Sequence, residues 1–468
     1  MAVVRDLGLY APGAVLLVSC YELGRQPQGL ALPLAFLERA GFQPATLDLA
    51  VESLDAERIA AARFVGISVP MHTALRLGLQ AARRIRALNP DCFLCFYGHY
   101  AVLHAESLLS TVADAVLGGE FEGQLVQLME SVDRDPAVAR HSEGQGREAF
   151  LRRLDYPVPK RTGLPGIERY AHLLHRGQHV VAGQVEASRG CLHLCRHCPI
   201  PAVYAGRIFV VPVQTVLEDV RGQVEAGARH ITFADADFLN GPTHALRVAR
   251  ALHDEFPALT FDFTAKVEHV LRHRSVVAEL GRLGAIFMVS AVESLSDTVL
   301  TILDKGHTRA DVFEALEVLR AAGIAMRPSL LPFTPWSTRQ DLLDLLDFAE
   351  SADLVECIDP VQYTIRLLVP PGSLLFEHPE MMPHLRGFDA EALTHVWEHP
   401  DPAMDTLQKN MATLVEQATA EEEDPVATFV RIRKLVDPAA ASRARQSSAA
   451  AALRHHERPP RITEPWFC

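Results

Sequence analysis

"ASRGCLHLCRHCPIPAVYAGR", residues 187–207, places three of the chain's eight cysteines close together, with the spacing Cys191-x3-Cys195-x2-Cys198. A structural zinc site closes its tetrahedron with four protein ligands. Three local thiolates without a fourth neighbour describe a metal centre with one position left open. From spacing alone, two readings stand. Either Cys357 or His197 completes a zinc site, or something that is not protein takes the open position.

The surroundings of the stretch favour the second reading. An apolar run, HVVAGQVEA (179–187), leads directly into it. Five more strand candidates follow at 230–234, 259–265, 285–291, 325–332 and 361–368. Helical patterns such as TVLEDVRGQVEAGA and DVFEALEVLRAAG fill the intervals. Six strand–helix units predict a partial (βα)6 barrel, and the cysteines fall just past the first strand, at the barrel end that carries chemistry.

A second alternating array precedes it. VLLVS (15–19), PATLDLA (44–50), FVGISVP (64–70), CFLCFYG (92–98) and AVLGG (115–119) alternate with helical stretches such as LALPLAFLERAGF. This order predicts an α/β, doubly wound, Rossmann-like parallel sheet. Gly98 and Gly118-Gly119 stand at strand ends, where open α/β sheets place ligands. The expected organisation is a Rossmann-like domain over 1–135, a linker over 136–178 containing Pro157, Pro159 and Pro165, the barrel over 179–376, and a helical C-terminal region with a flexible tail over 377–468. Cys92 and Cys95 look like a redox pair. Residues three apart on a strand point to opposite faces, so both are expected to be small buried hydrophobes.

Composition narrows the function classes. A net charge of −13 and a pI near 5.9 argue against a general polyanion binder, so no nucleic-acid partner is expected. No stretch of about 18 apolar residues marks a membrane span, and the start lacks a basic segment followed by an apolar one. Eight cysteines in 468 residues are not a secreted disulfide framework. A cytoplasmic, reduced protein is expected.

The CxxxCxxC loop after a first barrel strand resembles that of radical SAM enzymes. The resemblance implies a [4Fe–4S] cluster on Cys191, Cys195 and Cys198, with S-adenosylmethionine on the fourth iron. The missing ligand is then the cosubstrate. His197 stands where the family usually carries an aromatic residue against the adenine. FADADFLNGP (233–242) matches the second-strand segment that meets the methionine amine, which makes Asp235 and Asp237 candidates. VSAVESLSDTVLTILDKGHT (289–308) resembles the fourth-strand segment of cobalamin-type radical SAM proteins. It implies Glu293 on the ribose hydroxyls with Ser290 beside it. Lys266 and Arg327 would meet the cofactor carboxylate. Arg366 is a further candidate for the barrel interior, and the turn Pro370-Pro371-Gly372-Ser373 would close the mouth.

The N-terminal array resembles the cobalamin-binding domains of the same proteins. It lacks Asp-x-His-x-x-Gly, since CYELGRQPQG (20–29) follows VLLVS, and FYGHYAVLHAE (96–106) replaces the usual Gly-Gly turn. A corrin would bind without a histidine below cobalt, or with His99 or Tyr100, or the domain keeps the fold without the ligand. Over most of its length the chain resembles the radical SAM (seleno)proteins that end in Cys-Sec-Ala-Glu-Pro or Cys-Cys-Ala-Glu-Pro. Cys468 stands where the first cysteine of that ending would be, making it a candidate catalytic group. The resemblance implies continuation through a UGA codon; a genuine C-terminal cysteine is the other reading.

The expected function is a radical SAM enzyme acting on a small molecule, with an electron donor such as flavodoxin or ferredoxin. The alternatives are a zinc- or corrin-binding regulator without turnover, and methyl or aminocarboxypropyl transfer to arsenic or selenium held by the tail. An RNA methylthiotransferase would add a small basic β-barrel, and the tail shows no such pattern.

Overall fold

The computed structural model describes residues 7–135, 149–438 and 458–464. The apolar runs at the N-terminus become β1 (Val15–Ser19), β2 (Ala45–Asp48), β3 (Phe64–Ser68), β4 (Phe93–Tyr97) and β5 (Ala115–Leu117). They form one sheet in the order β2-β1-β3-β4-β5, parallel throughout. Continuous apolar sequence suits strands buried on both faces, and β1, β3 and β4 are buried at every residue. Cys92 and Cys95 pack into the cores on opposite sides of this sheet, as strand alternation requires.

The second sheet begins in the stretch expected to be a linker. β6 (His172–His175) turns back antiparallel onto β7 (Gln178–Val185). After β7, the short β8 (Ser188–Gly190) and β9 (Ile208–Val210) pair with each other around the cysteine loop. Then β10 (His230–Phe233), β11 (Thr260–Ala265), β12 (Ala285–Glu293) and β13 (Ala325–Leu330) continue the sheet in parallel from β7. The sixth barrel position is shortened. Residues 361–364 belong to a 3-10 helix, and only the bridge Phe333–Arg366 extends the sheet beyond β13. Pro360 at the start of that helix supplies no N–H to a ladder.

The outer face of this curved sheet packs on helices through Val185, Ile231, Phe263, Met288 and Met326. The helices Arg309–Ala321 and Arg339–Ser351 each begin with a capping box, Thr308 with Asp311 and Thr338 with Asp341. Each box satisfies N–H groups that a helix start leaves open.

The C-terminal region mixes classes. β14 (Leu385–Asp389) and β15 (Thr394–Trp397) form a hairpin, where helix was expected. Helices Pro402–Ala420 and Pro425–Val436 pack on the barrel core through Met411, Val415, Phe429 and Ile432. Finally β16 (Arg461–Ile462) returns to the edge of the second sheet and pairs antiparallel with β6. Among the described residues no helix is long and apolar enough to cross a membrane.

Candidate active site

Gly190 turns the chain from β8 into the cysteine loop. Its φ is +80°, and an added Cβ would lie 2.4 Å from the Arg207 carbonyl, so only glycine fits. Arg189, one residue earlier, is anchored on the N-terminal half. Its guanidinium is 2.8 Å from Glu122 Oε1 and 3.4 Å from Glu120 Oε2, with Glu186 at 3.3 Å on its own side. Tyr204, ending the short helix after the cysteines, donates to Glu120 Oε1 at 2.9 Å. The root of the loop is thus bound to the C-terminal edge of the first sheet.

Cys191 and Cys195 are buried and Cys198 is half-buried. Asn240 Nδ2 lies 3.5 Å from Cys191 Sγ, and Leu192 N–H donates to Asn240 Oδ1 at 3.3 Å. Burial pushes the Cys198 thiol up to about 12, with Cys195 and Cys191 adding to the rise and Lys305 opposing it. The thiolate form therefore needs the charge of a bound metal centre. The one trio of metal-type ligands within 4.8 Å of one another among the described residues is His193, Asp237 and His269. Three thiolates, an amide on one sulfur and a nearby ammonium fit a polynuclear cluster. Of the two expected fourth zinc ligands, Cys357 sits in the barrel core, while His197 is held by Glu293 through Nε2 and keeps Nδ1 unpartnered among the described residues.

The His193–Asp237–His269 trio is itself read best as a hydrogen-bonded chain. Lys266 Nζ is 3.1 Å from His193 Nδ1, and an ammonium only donates. His193 must then carry its proton on Nε2, which faces His269 Nε2 at 3.0 Å. His269 in turn is protonated at Nδ1, 2.9 Å from Asp237 Oδ2, although off the line of a good hydrogen bond. Burial and the nearby Lys266 bring the His193 imidazole down to about 4, so it is neutral.

The structure separates the other candidates. Asp235 accepts from Ala187 N–H at 2.9 Å and Ser188 Oγ at 2.5 Å, holding the end of β7; burial raises its carboxyl to about 6 against those bonds. Asp237 accepts from Leu239 N–H at 2.9 Å and Lys266 N–H at 3.1 Å. Both already accept from protein donors, with lone pairs left on each oxygen. Glu293 sits at φ +61° after a register shift in β12. Its Oε1 is 3.1 Å from Lys305 Nζ and 3.2 Å from His197 Nε2. Burial opposes its ionisation, but Lys305 and His197 outweigh that and hold its carboxyl well below the usual range.

Ser290 needs a correction. It is wholly buried on the face of β12 shared with Met288 and Val292, which pack on the helix layer, while Val289 lines the cavity. Its Oγ is buried without a hydrogen-bond partner among the described residues. Arg327 does line the cavity, and its Nη2 donates to Asp359 at 2.8 Å and Nη1 to the Pro460 carbonyl at 3.4 Å. Arg366 faces away from the barrel, 3.5 Å above the Trp397 ring and 2.5 Å from Asp405. The Pro370–Ser373 turn does reach the loop, with Ser373 Oγ donating to the Arg196 carbonyl at 3.1 Å. Cys468 lies outside the described residues. Lys305, Asn240, His193, His269 and Arg189 were not singled out from sequence, although Lys305 is the lysine of the 289–308 motif itself.

A cavity of about 270 Å³ opens beside the loop, between the two sheets. Glu22, Arg25, Met71 and His99 line it from the loops after β1, β3 and β4; Ser188, Thr232, Thr264 and Val289 line it from the barrel. Tyr100 instead packs beside His72 and His104 within the first half, so of the two residues considered for a corrin only His99 faces the cavity.

Residues 185–349 match the family model described as the Radical SAM superfamily. The chain is 26% identical over 327 residues to hopanoid C-3 methylase of Methylococcus capsulatus, which covers 66% of this chain and 62% of that relative. In structure it is similar to the cobalamin-dependent S-adenosylmethionine radical enzyme OxsB with aqua-cobalamin bound, at TM-score 0.68 and 15% identity, covering 88% of this chain and 68% of that one. It is also similar to the radical S-adenosylmethionine methyltransferase TsrM of Kitasatospora setae, at TM-score 0.65 and 16% identity, covering 85% and 88%. The chain therefore carries a radical SAM domain, joined to an N-terminal parallel α/β sheet on the fold shared with OxsB and TsrM.

Proposed function

We propose that this protein is a radical SAM enzyme that modifies a small molecule held in the cavity between its two sheets. The observation that carries the reading is the Cys191–Cys195–Cys198 loop, rooted by Arg189 and Gly190 beside that cavity. A [4Fe–4S] cluster held by Cys191, Cys195 and Cys198 would supply the electron for reductive cleavage of S-adenosylmethionine. The chain's own residues hold and shield that chemistry. The three cysteines bind the cluster, and Asn240 donates to Cys191. Lys305 and His197 keep Glu293 ionised, ready to accept from ribose hydroxyls. Phe233, Phe287 and Val289 keep the cavity wall dry. An electron donor of the flavodoxin or ferredoxin type completes the reading, and the net charge of −13 supports a small-molecule acceptor over nucleic acid.

Anaerobic purification tests it, with a Cys191/Cys195/Cys198→Ala triple variant alongside. A brown protein with about four irons per chain, absent in the variant and yielding 5′-deoxyadenosine after reduction, supports the proposal. A colourless protein holding one zinc overturns it.

Group transfer through a corrin is the finer reading, and methyl transfer the reaction it favours. Its support is the fold shared with OxsB and TsrM together with His99 in the cavity wall. Reconstitution with hydroxocobalamin, read by its absorption after gel filtration, decides it. The reading extends to Cys468 as a reacting group, supported by Glu464, four residues earlier, lining the cavity.

A further inference from the structure

We infer that the cavity binds its substrate through an oxyanion, a carboxylate or phosphoryl group on an otherwise apolar small molecule, seated on Arg25. The inference rests on the reading of this cavity as the substrate site and names the class of substrate it takes. Arg25 comes from the loop after β1 and is only 6% exposed. It reaches across to the barrel, where Nη2 donates to Thr232 Oγ1 at 2.7 Å. Its Nη1 is buried with no hydrogen-bond partner among the described residues. A buried guanidinium N–H left unpaired is costly, and an incoming acceptor removes that cost.

Arg327 faces the same cavity from β13 with Asp359 on its Nη2, and Glu22, Glu186, Asp262 and Glu464 also stand in the wall, so Arg25 is distinguished by its open Nη1 rather than by a net positive lining. Asp262 and Glu464 are near enough to act on Arg25, and one oxygen of each is taken by other donors. Asp262 Oδ1 takes His230 and Thr232, both within 2.8 Å, and Glu464 Oε1 takes the Tyr21 hydroxyl at 3.1 Å. Met71, Phe233, Phe287, Val289 and Ile462 supply much of the remaining wall. An apolar body with one anionic end matches this lining. A two-donor guanidinium edge suits carboxylate or phosphoryl oxygens better than a neutral carbonyl.

Benzoate and inorganic phosphate are suitable probes, with benzamide as the uncharged match for benzoate. Calorimetric titration of the reconstituted protein, with and without saturating S-adenosylmethionine, reads their binding. Benzoate is expected to bind at least about tenfold more tightly than benzamide, and Arg25→Gln to remove that preference. Arg25→Lys should restore part of it. Glu464→Gln, which leaves Arg25 in place, should tighten benzoate by withdrawing a neighbouring negative charge. The inference is overturned if neither anion binds, if benzoate and benzamide bind alike, or if Arg25→Gln leaves the preference intact. It is equally overturned if S-adenosylmethionine displaces benzoate, because the oxyanion is then the cosubstrate's own carboxylate. Iron content and 5′-deoxyadenosine yield on the same samples separate the two proposals. Their loss with Arg25-dependent benzoate binding retained sinks the radical reading and leaves the anion site.

Discussion

Replacing Lys305 with methionine tests the electrostatic centre of the site. Lys305 and Glu293 have side chains only 3% and 11% exposed, with Nζ 3.1 Å from Oε1. At an effective dielectric of about 20, unit charges at that distance attract by roughly 5 kcal/mol. Removing one member of a buried pair typically costs about 3–5 kcal/mol, because the partner keeps its charge without its compensation. His197, 3.2 Å from the same oxygen, softens the loss, which places Lys305→Met near 3 kcal/mol. Glu293 cannot swing out to water, since the register shift at the end of β12 and its positive φ fix its backbone. Glu293→Gln should cost a similar amount by stranding the ammonium. The double variant should cost less than the two singles together, by about 2–3 kcal/mol. Amide exchange in β12, followed by mass spectrometry without S-adenosylmethionine, reports the local opening energy of this multidomain chain better than a global midpoint. Strictly additive losses would refute the reasoning, for they would mean that the two charges are solvated separately.

Other outcomes follow from single contacts. Asn240→Ala should leave the iron content unchanged yet lower the cluster's reduction potential, by removing the donor 3.5 Å from Cys191 Sγ; potentiometric EPR reads this. Gly190→Ala should reduce cluster occupancy, since a left-handed residue with a side chain costs about 1–2 kcal/mol before the clash with Arg207 is counted; iron per chain checks it. His104 is buried with both ring nitrogens unpartnered among the described residues, and burial lowers its pKa to about 4, with His72 and His395 adding to the effect. An unfolded histidine titrates near 6.5, so between those values the unfolded chain binds the proton first. The stability is complete above about pH 6.5 and is lost as pH falls toward 4, by about 2 kcal/mol at pH 5. His104→Phe should flatten that loss in amide exchange of β4 and β5; parallel pH curves for the variant and wild type would count against it.

What could be read from sequence was what is local. Strands such as VLLVS and FLCFY are continuous apolar runs because a parallel sheet buries both their faces, and the cysteine loop carries its chemistry in eight consecutive residues. Partners far apart in sequence were not legible. Nothing near Arg189 announces Glu120 and Glu122, and nothing near Asn240 announces Cys191. β6 and β16 were missed because strands of four and two residues leave no periodic trace. The hairpin of β14 and β15 was missed because its turn, Ala390-Glu391-Ala392, reads as helix. Ser290 falls on the helix-facing side of β12 by the same alternation that sorted Cys92 from Cys95.

Arg189 explains why the N-terminal sheet belongs to the active site even if no corrin is held there. Three carboxylates face one guanidinium in the interior between the two halves. Burial raises Glu186 to about 8 and raises Glu122 as well, so near neutral pH Glu186 keeps its proton and the cluster of charges approaches balance. Two of the three carboxylates, Glu120 and Glu122, come from the edge of the first sheet just after β5. Neutralise both, with the sheet in place, and Arg189 stays buried with only Glu186 beside it one residue before Gly190, a condition that costs several kcal/mol and falls directly on the cysteine loop. Arg161 repeats the connection lower down, bonding Asp219 through both oxygens while it takes Gln26 and Gln28 from the other half. The first sheet thus fixes the geometry of the loop on which the proposed radical chemistry depends, and any ligand it binds enters a site it has already helped to build.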